Sequence, residues 1–161
     1  FRVSILPLIK LLSALVIHLF FIACALIVVS FYGYNITFHA LQVLYYLVSM
    51  IVLLLGLNWL TSSLFVYFKD TGQIVGILIQ FGFWLTPIFW NINIVANDYS
   101  IFFRINPMLY IVEGYRNSLI YKKWFWEDWQ SMLIFWIITA IVVMLGCLVF
   151  KKLRPGFSDV I

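Results

Sequence analysis

Glu113 and Arg116 stand three residues apart within RINPMLYIVEGYRNSLI (104–120), the spacing at which a carboxylate and a guanidinium meet on one helix face. Such a pair can brace a helix, meet a polar substrate or, with a second acid, do acid–base work. The chain does not group the partners that this last chemistry needs. A two-carboxylate site from Asp98 with Glu113 or Glu127 has no spacing to support it. No phosphate-binding glycine loop, metal-ligand constellation or nucleophile elbow is present. Cys24 and Cys147 sit inside apolar runs, where thiols behave as small hydrophobes. His18 is an ionisable group within such a run and is a functional candidate by position. A neutral imidazole bonded to a neighbouring helix is the plainer reading, because no carboxylate lies near it in sequence. Catalysis is not expected of this chain, and neither is a bound metal.

The elements that position these residues follow from composition. Hydrophobic residues make up 65% of the 161 and charged residues 10%, with a mean hydropathy of +1.09. A soluble domain needs more charge than that. The chain reads as an all-α integral membrane protein, and its start at Phe1 without an n-region reads as a C-terminal fragment. A crossing takes about 20 apolar residues, and four runs qualify: 11–33, 41–68, 73–90 and 131–150. The net charge of +4 suits anionic lipid or an anionic cargo and is too small for nucleic-acid binding.

Lys and Arg placement orients the spans. With the N-terminus inside, Arg2, Lys10, Lys69, Lys151, Lys152 and Arg154 are cytoplasmic, against Arg104, Arg116, Lys122 and Lys123 outside. Both ends of the chain are therefore expected in the cytoplasm. A fifth span at 104–120 would put the Lys151–Lys152 end outside. It would also bury Glu113 and Arg116 at about 2.5–3.5 kcal/mol each. Yet Met108, Ile111, Val112, Tyr115 and Leu119 form an apolar stripe. Asn106 suits the N-cap and Pro107 the first helical position. An extracytoplasmic re-entrant hairpin over about 94–120 reconciles these features, with 94–103 as its descending limb.

Pro87 interrupts the third run, with Gly76 and Gly82 upstream, so that helix should kink or end there. It is either a gating helix or an ordinary membrane proline satisfied by Thr86. Phe83, Trp84, Phe89 and Trp90 cluster around it, as an interfacial belt or as a stacking surface for sugar rings. The tryptophans of KKWFWEDW (122–129) read as headgroup anchors. Gly56, Asn58, Thr61 and Ser62 read as helix-packing residues.

The order ILPLIKLLSAL (5–15), FKDTGQIV (68–75), WLTPIFW (84–90), INPMLYIVEGYRNSLI (105–120) and KKLRPGFSDVI (151–161) resembles the permease subunit of bacterial type-2 ABC exporters. These exporters move lipid-linked polysaccharides, and the teichoic-acid and O-antigen translocation permeases are among them. The resemblance covers essentially the whole chain, and its stretch 105–128 is most similar to the wall-teichoic-acid branch. It implies six spans per subunit, the last four present here, in a homodimer paired with a separate ATP-binding cassette subunit that binds ATP and Mg. It places the ATPase contact at Phe1, Arg2 and Ser4, the tail of a coupling helix, and at Lys69 and Asp70. It places the conduit along 73–92, with Phe83, Trp84, Pro87, Phe89 and Trp90, and the exit gate at Tyr110, Glu113 and Arg116.

The expectation is ATP-driven export of a lipid-linked anionic cell-surface polysaccharide, such as wall teichoic acid, across the bacterial cytoplasmic membrane. The rivals are an exporter of drugs or small lipids, a membrane-embedded glycosyl- or acyltransferase, and a structural assembly subunit.

Overall fold

The computed structural model describes residues 6–89 and 103–153. The expected positions Phe1, Arg2, Ser4, Trp90 and Arg154, and residues 94–102 of the expected hairpin, lie outside them. Helix α1 covers Leu6–Phe31, α2 Gln42–Tyr67, α3 Thr71–Leu85, α4 Pro107–Arg116 and α5 Trp129–Leu153. Three helical stretches are long and apolar enough to cross a membrane among these residues: Leu8–Phe31, Phe38–Tyr67 and Trp129–Leu153. The third apolar run yields a helix of 15 residues, about 22 Å at 1.5 Å per residue.

Local chemistry sets each boundary. Helix α1 stops at Gly33, whose φ of 79° is the left-handed conformation that glycine adopts without a Cβ penalty. The Gly33 N–H then donates to the Ser30 carbonyl and that of Tyr34 to Val29, the paired closure of a Schellman end. Helix α3 ends because the residue before a proline is pushed out of the helical region: Thr86 is extended, at ψ 127°. Pro87 thus terminates the helix rather than kinking it. Asn106 caps α4 by accepting from the Met108 N–H at 3.0 Å, with Pro107 following, as the sequence predicts. A π-helical turn, Asn117–Tyr121, extends α4 and closes on Lys122 at φ 55°.

The core lies between α2, α4 and α5, where Tyr46, Leu53, Tyr110, Ile111 and Phe135 are buried together. Lipid is as apolar as leucine, so membrane helices associate through close packing and polar contacts rather than by escaping water. Gly56 and Gly146 supply the close approach. A Cβ on Gly56 would come within 2.9 Å of the Val143 backbone, and one on Gly146 would strike the Gly56 carbonyl. Helices α2 and α5 run parallel. Gln42 joins the start of α2 to the segment before α5, and the Tyr67 hydroxyl joins its end to the Leu153 carbonyl at 3.0 Å.

Two expectations of packing are corrected. The Thr61 and Ser62 hydroxyls return to carbonyls of their own helix, and Asn58 is half-buried. The buried face of α2 runs through Gly56, as expected, and then through Ser63 rather than Thr61 or Ser62. On α4 the buried residues are Leu109, Tyr110, Ile111 and Gly114, while Met108 of the expected stripe is exposed. Gly114 admits the Tyr46 ring, against which any Cβ would clash, and this rotates the helix inward on that side.

Candidate functional site

Helix α4 sits where α1, α2, α3 and α5 can all be reached by its side chains. Toward α1, the Tyr115 hydroxyl and His18 Nε2 lie 3.0 Å apart, which gives the intramembrane histidine the neighbouring-helix partner expected of it. Toward α2, the Tyr110 and Tyr45 hydroxyls meet at 3.2 Å, and Trp136 Nε1 of α5 donates to Tyr45 at 2.9 Å. The Tyr110 ring stacks on Phe135 with centroids 4.8 Å apart.

Toward α3 the ties are polar. Asn106 Nδ2 donates to the Thr86 hydroxyl at 2.9 Å, and that hydroxyl donates to the Gly82 carbonyl at 2.7 Å. Thr86 is therefore shared between the end of α3 and the cap of α4. Arg116 donates to Glu113 Oε1 at 2.7 Å and to the Ile88 carbonyl at 2.6 Å. The charge pair allowed by the i, i+3 spacing is formed, and it also grips the chain just beyond Pro87.

The aromatic residues of α3 are disposed differently. Phe83 lies edge-on to Trp84 and near Phe89, with centroids 5.9 and 5.8 Å away. Trp84 is 70% and Phe89 85% exposed, and α3 has no buried residue. Among the described residues, these side chains form an exposed aromatic surface, separate from the Tyr110 cluster. Lys69 and Asp70 are exposed in the turn between α2 and α3, at the end of the bundle where Tyr67 meets Leu153.

Two features escaped the sequence reading. Gln42 is buried, and its amide donates to the Lys123 carbonyl at 3.0 Å while accepting from the Phe125 N–H at 2.7 Å. A single side chain thus pins the 122–128 segment, where Trp124 and Trp126 stack with centroids 4.6 Å apart. The second is a polar stripe on α4 and its π-turn, Tyr110, Glu113, Asn117 and Tyr121, at i, i+3, i+7 and i+11. It faces a cavity of about 470 Å³ whose far wall includes Arg104, Trp124, Asp128 and Ser131. Arg104 donates to Ser131 at 3.0 Å and lies 3.6 Å from Asp128.

Residues 1–120 match the family described as ABC-2 type transporter. Two curated relatives, each described as an O-antigen export system permease protein RfbA of Klebsiella pneumoniae, are 20% and 21% identical over 114 residues. The match takes in 71% of this chain and 43% of each relative. The chain therefore spans less than half the length of the curated relatives it matches.

Proposed function

This chain belongs to the ABC-2 type transporter family, and on that premise we propose that it is part of the membrane subunit of an ATP-driven exporter of lipid-linked cell-surface polysaccharide. The O-antigen export permeases it resembles support the glycan class. The anionic, teichoic-acid-like cargo rests on the resemblance of residues 105–128 and on the net charge of +4. ATP and Mg are bound by a separate cassette subunit, two copies of the permease pair, and Phe1, Arg2, Ser4, Lys69 and Asp70 contact the ATPase.

In this reading the chain crosses the cytoplasmic membrane four times, with both ends inside and α4 re-entering from outside. The observation that carries it is the polar junction of α4 with the end of α3. A helix of about 22 Å that starts at the Lys69–Asp70 turn stops short of a hydrocarbon layer about 30 Å thick. Asn106 and Arg116 nevertheless bond to Thr86 and Ile88 at that helix's end. On this proposal α4 dips below the outer surface, and its polar groups line a recess, the arrangement that suits intramembrane charges.

Movement of α3, driven from the cytoplasmic side, pulls on or releases these two ties, while α4 stays packed in the core with the α2–α5 pair. Phe83, Trp84, Phe89 and Trp90 then contact the passing polymer, and Tyr110, Glu113 and Arg116 shape its exit. Depletion of the full-length protein should trap lipid-linked polymer on the cytoplasmic side. Unchanged surface polymer after depletion would refute the assignment. Accumulation of a drug or small lipid instead would favour the exporter of that class.

A further inference from the structure

We propose that His39 and Trp124 form a proton-operated clasp that fastens the 122–128 segment to the start of α2. His39 lies in the 3-10 turn Phe38–Leu41, which runs directly into α2 and packs against the π-turn Asn117–Tyr121. Its imidazole sits against the Trp124 indole, with ring centroids 4.5 Å apart and planes 40° from parallel. The indole is also stacked on Trp126, at 4.6 Å and 7°. The three rings form one row, in which His39 and Trp124 are half-buried and Trp126 is exposed.

Histidine is the side chain whose charge changes between about pH 5 and 8. Neutral, it meets the indole as one ring meets another. Charged, it meets the negative face of the strongest cation acceptor among the aromatic side chains, inside the reach of about 6 Å over which that attraction acts. The Thr37 hydroxyl, 3.1 Å from His39 Nδ1, can accept or donate, so it holds the ring in both states. Gln42 already ties the same segment to α2 through the Lys123 carbonyl and the Phe125 N–H. The proton therefore tightens an existing attachment, and because Trp124 lines the recess beside α4, it stiffens that wall.

The elements packed against the turn present charges of both signs. Lys122, Lys123 and the N-terminal end of α2 oppose a cation at His39. Glu127 favours one, and its carboxylate accepts the Trp124 N–H at 2.8 Å; Asp128 is held 3.6 Å from Arg104. The π-turn and this end of α2 contribute phenols alone, Tyr121, Tyr45 and Tyr46. Both lysines are exposed, where salt screens charge over about 8 Å, whereas the ring contact is direct. In the proposed topology the turn lies outside, so the clasp responds to external pH.

The test uses the full-length permease with its ATPase subunit in nanodiscs, the permease carrying 5-fluorotryptophan. The Trp124 fluorine resonance, assigned by its loss in Trp124→Phe, should shift across the histidine pH range, and the Trp59 resonance from within α2 should not. His39→Gln, which keeps a polar partner for Thr37, should abolish the shift. Amide exchange over 122–126, corrected for the intrinsic effect of pH, should slow about two- to fivefold on acidification, and His39→Gln should remove that slowing. An unmoved Trp124 resonance, a shift that persists in His39→Gln, or corrected exchange that is equal at both ends of the range overturns the clasp. Neither readout requires transport, so failure here leaves the export reading standing, and loss of export leaves the clasp standing.

Discussion

Arg116 of α4 reaches the Ile88 carbonyl at 2.6 Å while holding Glu113 at 2.7 Å, so one guanidinium couples a charge pair within a helix to the chain leaving a different helix. A planar fork with separate terminal nitrogens is what makes this double engagement possible. A lysine ammonium would have to reach both acceptors from a single nitrogen, without the spread of the guanidinium.

Arg116→Lys should therefore slow polymer export several-fold, and Arg116→Ala should cost about 1.5–3 kcal/mol, the worth of a hydrogen bond to a charged group. Export rate in vesicles and thermal denaturation in detergent read the two effects. Full activity and stability in both variants would show that the bridge has no role.

Gly114→Ala places a methyl group against the Tyr46 ring. Overpacking at such a contact costs about 1–3 kcal/mol. The companion change Tyr46→Leu opens the space, so the double variant should be more stable than the sum of the singles by at least about 0.5 kcal/mol. Strict additivity in a double-mutant cycle would place Gly114 away from Tyr46.

At the α2–α5 crossing, Gly146→Leu forces the Gly56 carbonyl away and should abolish the monodisperse folded protein. Leu145→Ala, one position along on an exposed face, should have little effect. Size-exclusion profiles of the two variants separate a packing requirement from a general intolerance of α5.

Single cysteines at Lys122 and Lys152, introduced after Cys24 and Cys147 are replaced by serine, test the topology. A membrane-impermeant thiol reagent added outside intact cells should label the first and spare the second. The reverse pattern, Lys122 spared and Lys152 labelled, contradicts a re-entrant α4, and labelling of both or of neither contradicts a crossing by α5.

Much of this architecture is legible in the residue order, because the physics that sets it is local. The Asn106–Pro107 cap, the stop at Pro87 and the meeting of Glu113 with Arg116 each depend on a few neighbouring residues. The rotation of α4 is not legible: tyrosine carries a polar tip on an apolar ring, and only the bare Gly114 reveals which side Tyr46 occupies. Gln42 was equally opaque, since its partners lie 81 and 83 residues away and are backbone atoms without a sequence signature. The serine and threonine hydroxyls of α2 look like interhelical glue until their own-helix carbonyls are seen to satisfy them.

The parallel pairing of α2 with α5 bears on the order in which the protein is assembled. During synthesis, Gly56 enters the bilayer long before Gly146 exists, and both α3 and α4 emerge in between. The Gly56 side of α2 must wait, unsealed, until the last helix arrives beside it. A ribosome stalled before Trp129 would thus leave a nascent chain whose central seam is open, a natural substrate for the quality-control proteases of the membrane.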